Sequence, residues 1–184
     1  MVVLLNEEDQ QRIHSHLNRA ERPQNDLFDS YTALWSAFNV MYEALRPEMI
    51  SSGKKSKDLS ERSMAKYCAK KLEYATWSRL FNTTKLDKLL SIAPIFNERD
   101  WIREAKINIT EYSKLVDSIA IARSNNNDCF GIELLEALID FLYVIRCNLF
   151  HGFKTPELPR DQEVLGATEP LLREIVFKLN EKFS

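Results

Sequence analysis

Apolar residues recur every three or four positions along most of the chain, the spacing that places them on one face of an α-helix. This spacing predicts a first helix over residues 7–20, with Asn6 as its N-cap and acidic residues in its first turn. A second helix, more strongly apolar, is predicted from Leu27 to Leu45, and Pro47 is expected to end it. Of the two, the second is predicted to be a core helix.

The middle of the chain predicts a basic loop followed by further helices. Residues 48–60, which include Gly53 and a cluster of lysines, predict a surface loop or a mobile flap. Beyond the loop, Ser60 caps a predicted helix that runs to about Phe81, and a shorter helix follows from Thr84 to Ala93. Helical spacing then resumes after Asn97 as one helix or two.

The last third of the chain predicts a central helix and a long final helix. After the polar break at 124–128, residues 132–150 are almost continuously apolar helix formers, so we expect them to be central and largely buried. Gly152 and two nearby prolines interrupt the pattern. A final helix is predicted from Asp161 to Phe183, and Pro170 is expected to kink or shorten it.

Composition points to an all-α protein of one domain. The length of 184 residues is close to that of a single domain. Glycine (4) and proline (6) together make up 10 of the 184 residues, well below the share that turn-rich β-sandwiches and barrels need. Hydrophobic residues at 45% and charged residues at 28% exclude wholesale disorder. We therefore expect residues 1–184 to form a single helical bundle.

Charge, cysteines and the chain start exclude several classes. With 25 basic and 27 acidic residues, the formal charge of -2 creates no global positive field, so any contact with nucleic acid must be local. Three widely spaced cysteines predict packing residues of a reduced protein, not a disulfide scaffold or a zinc site. The first five residues are too short an apolar run for a signal peptide. We expect a cytoplasmic protein with no membrane segment, metal or cofactor.

Polar groups interrupt the apolar helix 132–150 at its end, where the chain reads Arg146-Cys-Asn148-Leu-Phe-His151-Gly152. On an ideal helix Arg146 and His151 lie about 140° apart around the axis and about 7.5 Å apart along it, flanking Asn148. A histidine in the last turn feels the negative helix end, which raises its pKa and suits acid–base catalysis near neutral pH. A fixed guanidinium binds phosphate. This trio is compatible with phosphodiester chemistry that uses no metal.

A purely structural interpretation of the same residues remains open. Burial of a charged arginine is unfavourable without a partner, and a carboxylate such as Asp140 or Glu136 would supply one. In that case His151 merely precedes a glycine that stops the helix. Arg146 would then take part in an internal ion pair, and the protein would be a structural helical adaptor.

The motif resembles the Arg-x4-6-His signature of HEPN domains, the higher eukaryotes and prokaryotes nucleotide-binding superfamily. The segment Trp35-Ser-Ala-Phe38-Asn39-Val-Met-Tyr42 also resembles the early core helix of prokaryotic HEPN proteins, and the final helix resembles their usual ending. The resemblance implies a helical bundle that dimerises so that two motifs converge. In many members it also implies a metal-independent endoribonuclease, in which the 2′-hydroxyl of RNA attacks the adjacent phosphate and leaves a cyclic phosphate.

Carried over to this chain, the resemblance implies that Arg146 and His151 are catalytic, with Asn148, Cys147 and Lys154 supporting them or binding RNA. The family often has Asn, Asp or His directly after the arginine, whereas this chain has Cys147 there and Asn148 next. The implied partners are RNA, a second copy forming a composite active site, and an antitoxin or a nucleotidyltransferase, in a defence, stress or toxin setting. The alternative is a catalytically silent helical module that binds a nucleotide, RNA or a partner protein.

A basic segment offers a second candidate contact with RNA. Between Lys54 and Lys71 the chain holds six lysines and one arginine against two acidic residues, a net charge of +5. These residues either track an RNA backbone or form a solvated helix face. The aromatic residues fall mostly at helical apolar positions, which favours the core over base stacking.

Overall fold

Helices account for every regular element in the part of the chain that the computed structural model describes, namely residues 5–24, 26–53, 59–81, 84–92, 113–121, 128–150 and 157–184. The predicted all-α class is confirmed. Residues 113–121 are helical. The helices with defined ends are α1 (Glu7–Ala20), α2 (Leu27–Ala44), α3 (Arg46–Ser51), α4 (Glu61–Ala69), α5 (Tyr74–Phe81), α6 (Thr84–Ser91), α7 (Asp128–Phe150) and α8 (Pro159–Phe183).

The helix α2 is the element around which the bundle is built. It packs against α1, α4, α7 and α8. Its fully buried side chains include Tyr31, Leu34, Trp35, Phe38 and Tyr42. The predicted central helix, α7, is largely buried, but it packs chiefly against α4, less against α5 and least against α2. The helix α2 therefore lies at the centre of the bundle, where its many apolar side chains are buried.

Side-chain caps begin three of these helices. The side-chain oxygens of Asn6, Asp26 and Ser60 each accept the backbone N–H three residues further on, at 2.8, 2.8 and 3.2 Å. Each bond satisfies an N–H group that has no partner within the helix. The predicted caps at Asn6 and Ser60, and the predicted bounds of α1, are confirmed.

The region after α2 differs from the prediction. Pro47 does not end a helix but lies in the first turn of α3, where its missing N–H removes no helical bond. Residues 48–51 are therefore helical, and the prediction of a loop was wrong over them. Residues 54–58, with the lysine cluster, lie outside the described residues.

The helix predicted from Ser60 to Phe81 is in fact two helices. Lys71 N donates to Cys68 O at 2.9 Å, and Leu72 N donates to Ala69 O at 3.0 Å. These bonds join residues three apart, so α4 ends in a 3₁₀-type turn. No glycine or proline marks this stop in the sequence. The turn lets α5 leave the line of α4 and pack against both α7 and α8.

The crossing of α5 and α7 depends on a glycine. The ring of Trp77 occupies the space that a side chain at Gly131 would fill, so a Cβ built there overlaps the ring. Trp77 is only 6% exposed. Close approach of the two helices therefore requires glycine at this position of α7.

The final helix α8 runs without a break from Pro159 to Phe183, so Pro170 does not shorten it. A proline inside a helix is unfavourable by about 3 kcal/mol. Fully burying a leucine or isoleucine contributes about 1.5–3 kcal/mol, and α8 fully buries Leu165, Leu171, Leu172 and Ile175. The packing of α8 against α2, α5 and α6 thus outweighs the unfavourable effect of a proline inside the helix. Within the described residues, no helix combines the length and apolar character that crossing a membrane requires.

Candidate functional site

The motif arginine lies in the last two turns of α7 and is paired with a residue of α4. Arg146 Nη2 lies 3.0 Å from Oε1 of Glu61, and the two side chains are only 20% and 24% exposed. Glu61 is the first residue of α4, where the positive helix end favours a carboxylate. The pair therefore ties α7 to α4 in a partly buried position.

Donors from α2 and α7 converge on the same carboxylate. The Tyr42 hydroxyl donates to Glu61 Oε1 at 2.7 Å, and Asn39 Nδ2 donates to the Tyr42 hydroxyl at 2.8 Å. Trp35 Nε1 and the Tyr143 hydroxyl approach the two carboxylate oxygens at 3.5 Å each, the outer limit of a hydrogen bond. We call these residues, together with Arg146, the Glu61 cluster. Three of its members come from the segment 35–42 that resembles the early HEPN helix.

The two tyrosines of the Glu61 cluster stay protonated at ordinary pH. Burial and, after it, the neighbouring Cys147 raise the pKa of Tyr143 to about 12. Burial and the hydrogen bond to Glu61 raise the pKa of Tyr42 above its usual range. Both hydroxyls therefore act as donors to the carboxylate and not as bases.

Two aromatic rings of its own helix lie beside the Arg146 guanidinium. Its Cζ lies 4.5 Å from the centre of the Phe150 ring and 5.9 Å from that of Tyr143. These positions are four residues after and three before the arginine, so all three lie on one face. Arg146 Nε is buried and makes no hydrogen bond to any residue that the structure describes. Ring stacking and Glu61 together hold the guanidinium in place.

The predicted supporting residues next to Arg146 take different positions. Asn148 is 2% exposed and lies about 200° around the helix from Arg146, so it faces the interior of the bundle. Cys147 is a free, half-buried cysteine that interacts with the Tyr143 side chain. His151 and Lys154 lie outside the described residues. Of the predicted site, the structure thus describes Arg146, Cys147 and Asn148.

The basic residues Arg62 and Lys66 of α4, and Lys70 directly after it, pair with acidic residues of α7. Arg62 Nε lies 2.8 Å from Asp140 Oδ1, Lys66 Nζ lies 2.6 Å from Asp140 Oδ2, and Lys70 pairs with Glu136. Their spacing of four residues matches the spacing of the two acidic residues on α7. Asp140 and Glu136, the carboxylates considered as partners of Arg146, are therefore bound by α4 instead.

Glu61 and Tyr42 belong to the site but do not stand out in the sequence. Glu61 follows the N-cap Ser60 and looks like an ordinary acidic first-turn residue, and Tyr42 fits the apolar spacing of α2. Tyr42 is fully buried, yet its hydroxyl needs a partner, and this need was the available signal. The position of the partner depends on how α2 and α4 cross.

A second polar cluster lies beside a cavity of about 470 Å³ between α1, α2 and α8. The carboxylate of Glu169, whose side chain is 8% exposed, accepts from Ser30 Oγ at 2.6 Å and from Arg173 Nη2 at 2.7 Å. Arg173 Nη2 also donates to the carbonyl of Ala20 at 3.2 Å. The cluster therefore caps the end of α1 and joins three helices.

Comparison of the chain with known protein families, with curated proteins and with solved structures found no match in any of the three. Among the residues that the structure describes, no three His, Cys, Asp or Glu side chains lie close enough together to hold a metal ion.

Proposed function

We propose that this protein is a metal-independent endoribonuclease of HEPN type. The observation that carries the proposal is the Arg146-x4-His151 motif. Its arginine lies near the end of a largely buried helix and pairs with Glu61, which also accepts a hydrogen bond from Tyr42 of the segment 35–42. In this reaction the 2′-hydroxyl of RNA attacks the adjacent phosphate, the 5′-oxygen leaves, and a 2′,3′-cyclic phosphate forms. His151 takes the proton from the attacking 2′-hydroxyl and returns one to the leaving 5′-oxygen, and Arg146 stabilises the negative charge on the phosphate.

The geometry of Arg146 supports this role. A guanidinium carries five N–H donors in a rigid plane, and Glu61 takes a bond from Nη2. The rings of Phe150 and Tyr143 restrict its rotation, so little further ordering is needed when it binds a phosphate. A lysine at this position would supply the charge without the planar fork.

The same proposal includes the biological setting and the assembly. We propose a cytoplasmic homodimer in which two motifs form a composite active site, acting in defence, stress or toxin-like processes. A regulatory partner, either an antitoxin or a nucleotidyltransferase, belongs to this setting. The support for it is the resemblance of the Arg146-to-Gly152 motif to prokaryotic HEPN proteins.

One observation favours a second function, that of a catalytically silent module which binds a nucleotide, RNA or a partner protein. Arg146 is engaged with Glu61 and joins α7 to α4, as a structural arginine would. In the silent module this ion pair stays closed. In the enzyme the guanidinium exchanges all or part of this contact for phosphate.

Cleavage assays in chelator separate the two functions. The purified protein is incubated with single-stranded and structured RNA in EDTA, and the product ends are analysed. We expect defined cuts with cyclic phosphate ends. His151→Ala should lower the rate about 10²–10⁴-fold, and Arg146→Lys should also lose most of the activity. His14→Ala, an exposed histidine of α1, is the matched control and should cut normally. Strict dependence on magnesium, or no cutting across a broad RNA set, would favour the silent module.

A further inference from the structure

Phe150 is an exposed aromatic residue at the end of the helix that carries Arg146. It is 52% exposed, although the other described aromatic side chains are buried or half-buried. One side of its ring contacts the Arg146 guanidinium, with 4.5 Å between Cζ and the ring centre. Since one side of the ring is covered by the guanidinium, the exposed area belongs to the rest of the ring. Much of the Phe150 ring is therefore exposed to solvent and accessible to a ligand.

The two neighbouring groups match the two chemical parts of a nucleotide. A phenyl ring stacks on the face of any base, and a guanidinium binds the phosphate of the same strand. The Phe150 ring and the Arg146 guanidinium are in direct contact, so base and phosphate of one nucleotide step can meet them together. Ile132, elsewhere on α7, is similarly exposed but carries no aromatic ring on which a base could stack.

We propose that Phe150 is the base-stacking residue of this site and that the RNA it accepts is single-stranded. An unpaired base stacks on the exposed part of the ring while the adjacent phosphate contacts Arg146. In a duplex the bases are already stacked and paired, so none is available to the ring. This inference rests on the proposed function, because it names the substrate class of the same Arg146 site.

The surroundings of Phe150 favour a single nucleotide contact over a long basic track. Within the part of the chain that the structure describes, Arg62, Lys66 and Lys70 are engaged by Asp140 and Glu136. The cation beside the ring is Arg146, and its carboxylate partner is Glu61. Binding therefore depends on stacking as well as on charge, and its salt dependence should be shallow for a nucleic-acid ligand.

Binding of labelled RNA tests the proposal in a form that does not require cleavage. Each variant is made in a His151→Ala background, and fluorescence anisotropy is measured with a short fluorescein-labelled single strand and with the same strand annealed to its complement. Phe150→Leu should weaken binding of the single strand about 5- to 150-fold, the fold-change that loss of one base stack produces. Phe150→Trp should bind as well as the parent or better. Ile132→Ala, the matched control on α7, should bind as the parent does.

The outcomes separate this inference from the proposed function. Loss of single-strand binding in Phe150→Leu alone supports stacking even if the wild-type chain cuts no RNA, in which case only the enzyme proposal fails. Equal binding by Phe150→Leu and its parent, tighter binding of duplex, or no binding of RNA at all overturns the inference. It is also overturned if Phe150→Leu leaves RNA binding intact but dissociates a dimer in sedimentation, because the ring then belongs to a contact between copies of the chain.

Discussion

Glu61, the first residue of α4, forms an ion pair with Arg146 near the end of α7, with 3.0 Å between Nη2 and Oε1. The Tyr42 hydroxyl donates to the same carboxylate oxygen at 2.7 Å, so the pair belongs to a network joining three helices. Both charged side chains are mostly withdrawn from water. Screening by solvent is therefore weaker here than at an exposed pair.

A double-mutant cycle on this pair should show coupling. We expect Arg146→Gln and Glu61→Gln each to lower the free energy of unfolding, and the double variant to lower it by less than their sum, with a coupling of about 1 kcal/mol. Urea denaturation measures each value. The exposed pair Lys178 and Glu181 is the control and should show almost no coupling. Strict additivity at Arg146 and Glu61 would contradict the network.

Replacing Gly131 should disturb the crossing of α5 and α7. A methyl group at Gly131 overlaps the Trp77 ring, so Gly131→Ala should destabilise the fold by about 1–3 kcal/mol. Gly166→Ala on α8 is the matched control, because a Cβ there comes no closer than 3.8 Å to Leu27 Cδ1. That change should be neutral or stabilise by up to about 1 kcal/mol. Equal melting temperatures for the two variants would show that the helices separate easily.

The contact between α4 and α7 should be sensitive to salt. Asp140 binds both Arg62 and Lys66, so Asp140→Asn removes one carboxylate from two cations and should destabilise the protein by about 1–2 kcal/mol at low ionic strength. We expect the difference from wild type to shrink in high salt, since ions screen these partly exposed pairs. Chemical denaturation with urea at two salt concentrations measures it. A difference independent of salt would mean that Asp140 acts through packing.

The raised pKa of Tyr143 predicts a loss of stability in strong alkali. The folded-state pKa is about 12, above the value near 10 of an unfolded chain. Between these values the unfolded chain releases a proton that the folded chain keeps, so the free energy of unfolding falls as pH rises from about 10 to 12. Tyr143→Phe should show a shallower fall over this range. Identical slopes would indicate that Tyr143 titrates like an exposed tyrosine.

The proposed composite site is tested with a heterodimer. One chain carries Arg146→Ala and the other His151→Ala, with different purification tags. If the arginine of one chain works with the histidine of the other, one of the two sites is intact and substantial cleavage returns. If each chain uses its own pair, both sites are broken and the heterodimer stays as inactive as either mutant homodimer. A wild-type chain that cuts RNA while monomeric would also exclude the composite site.

Much of the secondary structure followed from residues close together in the chain. The all-α class, the bounds of α1 and the caps at Asn6 and Ser60 depend on apolar spacing and on side chains within four positions of the bonds they make. The end of α4 was missed because it carries neither glycine nor proline. The turn between α4 and α5 allows α5 to pack against α7 and α8, and this packing is a property of the tertiary structure.

In the candidate site, too, one part depends on neighbouring residues in the chain and another part depends on tertiary packing. Arg146 was recognisable from its polar neighbours at the end of an apolar helix, which is a local pattern. Its partner was not, because Asp140 and Glu136 were the carboxylates that the sequence suggested. The crossing of α4 and α7 instead places Glu61 beside Arg146 and leaves Asp140 and Glu136 to Arg62, Lys66 and Lys70. Ion pairs between helices far apart in the chain depend on crossing angle and register. Those quantities arise from packing of the whole core, whereas helix formation depends on neighbours within a turn or two.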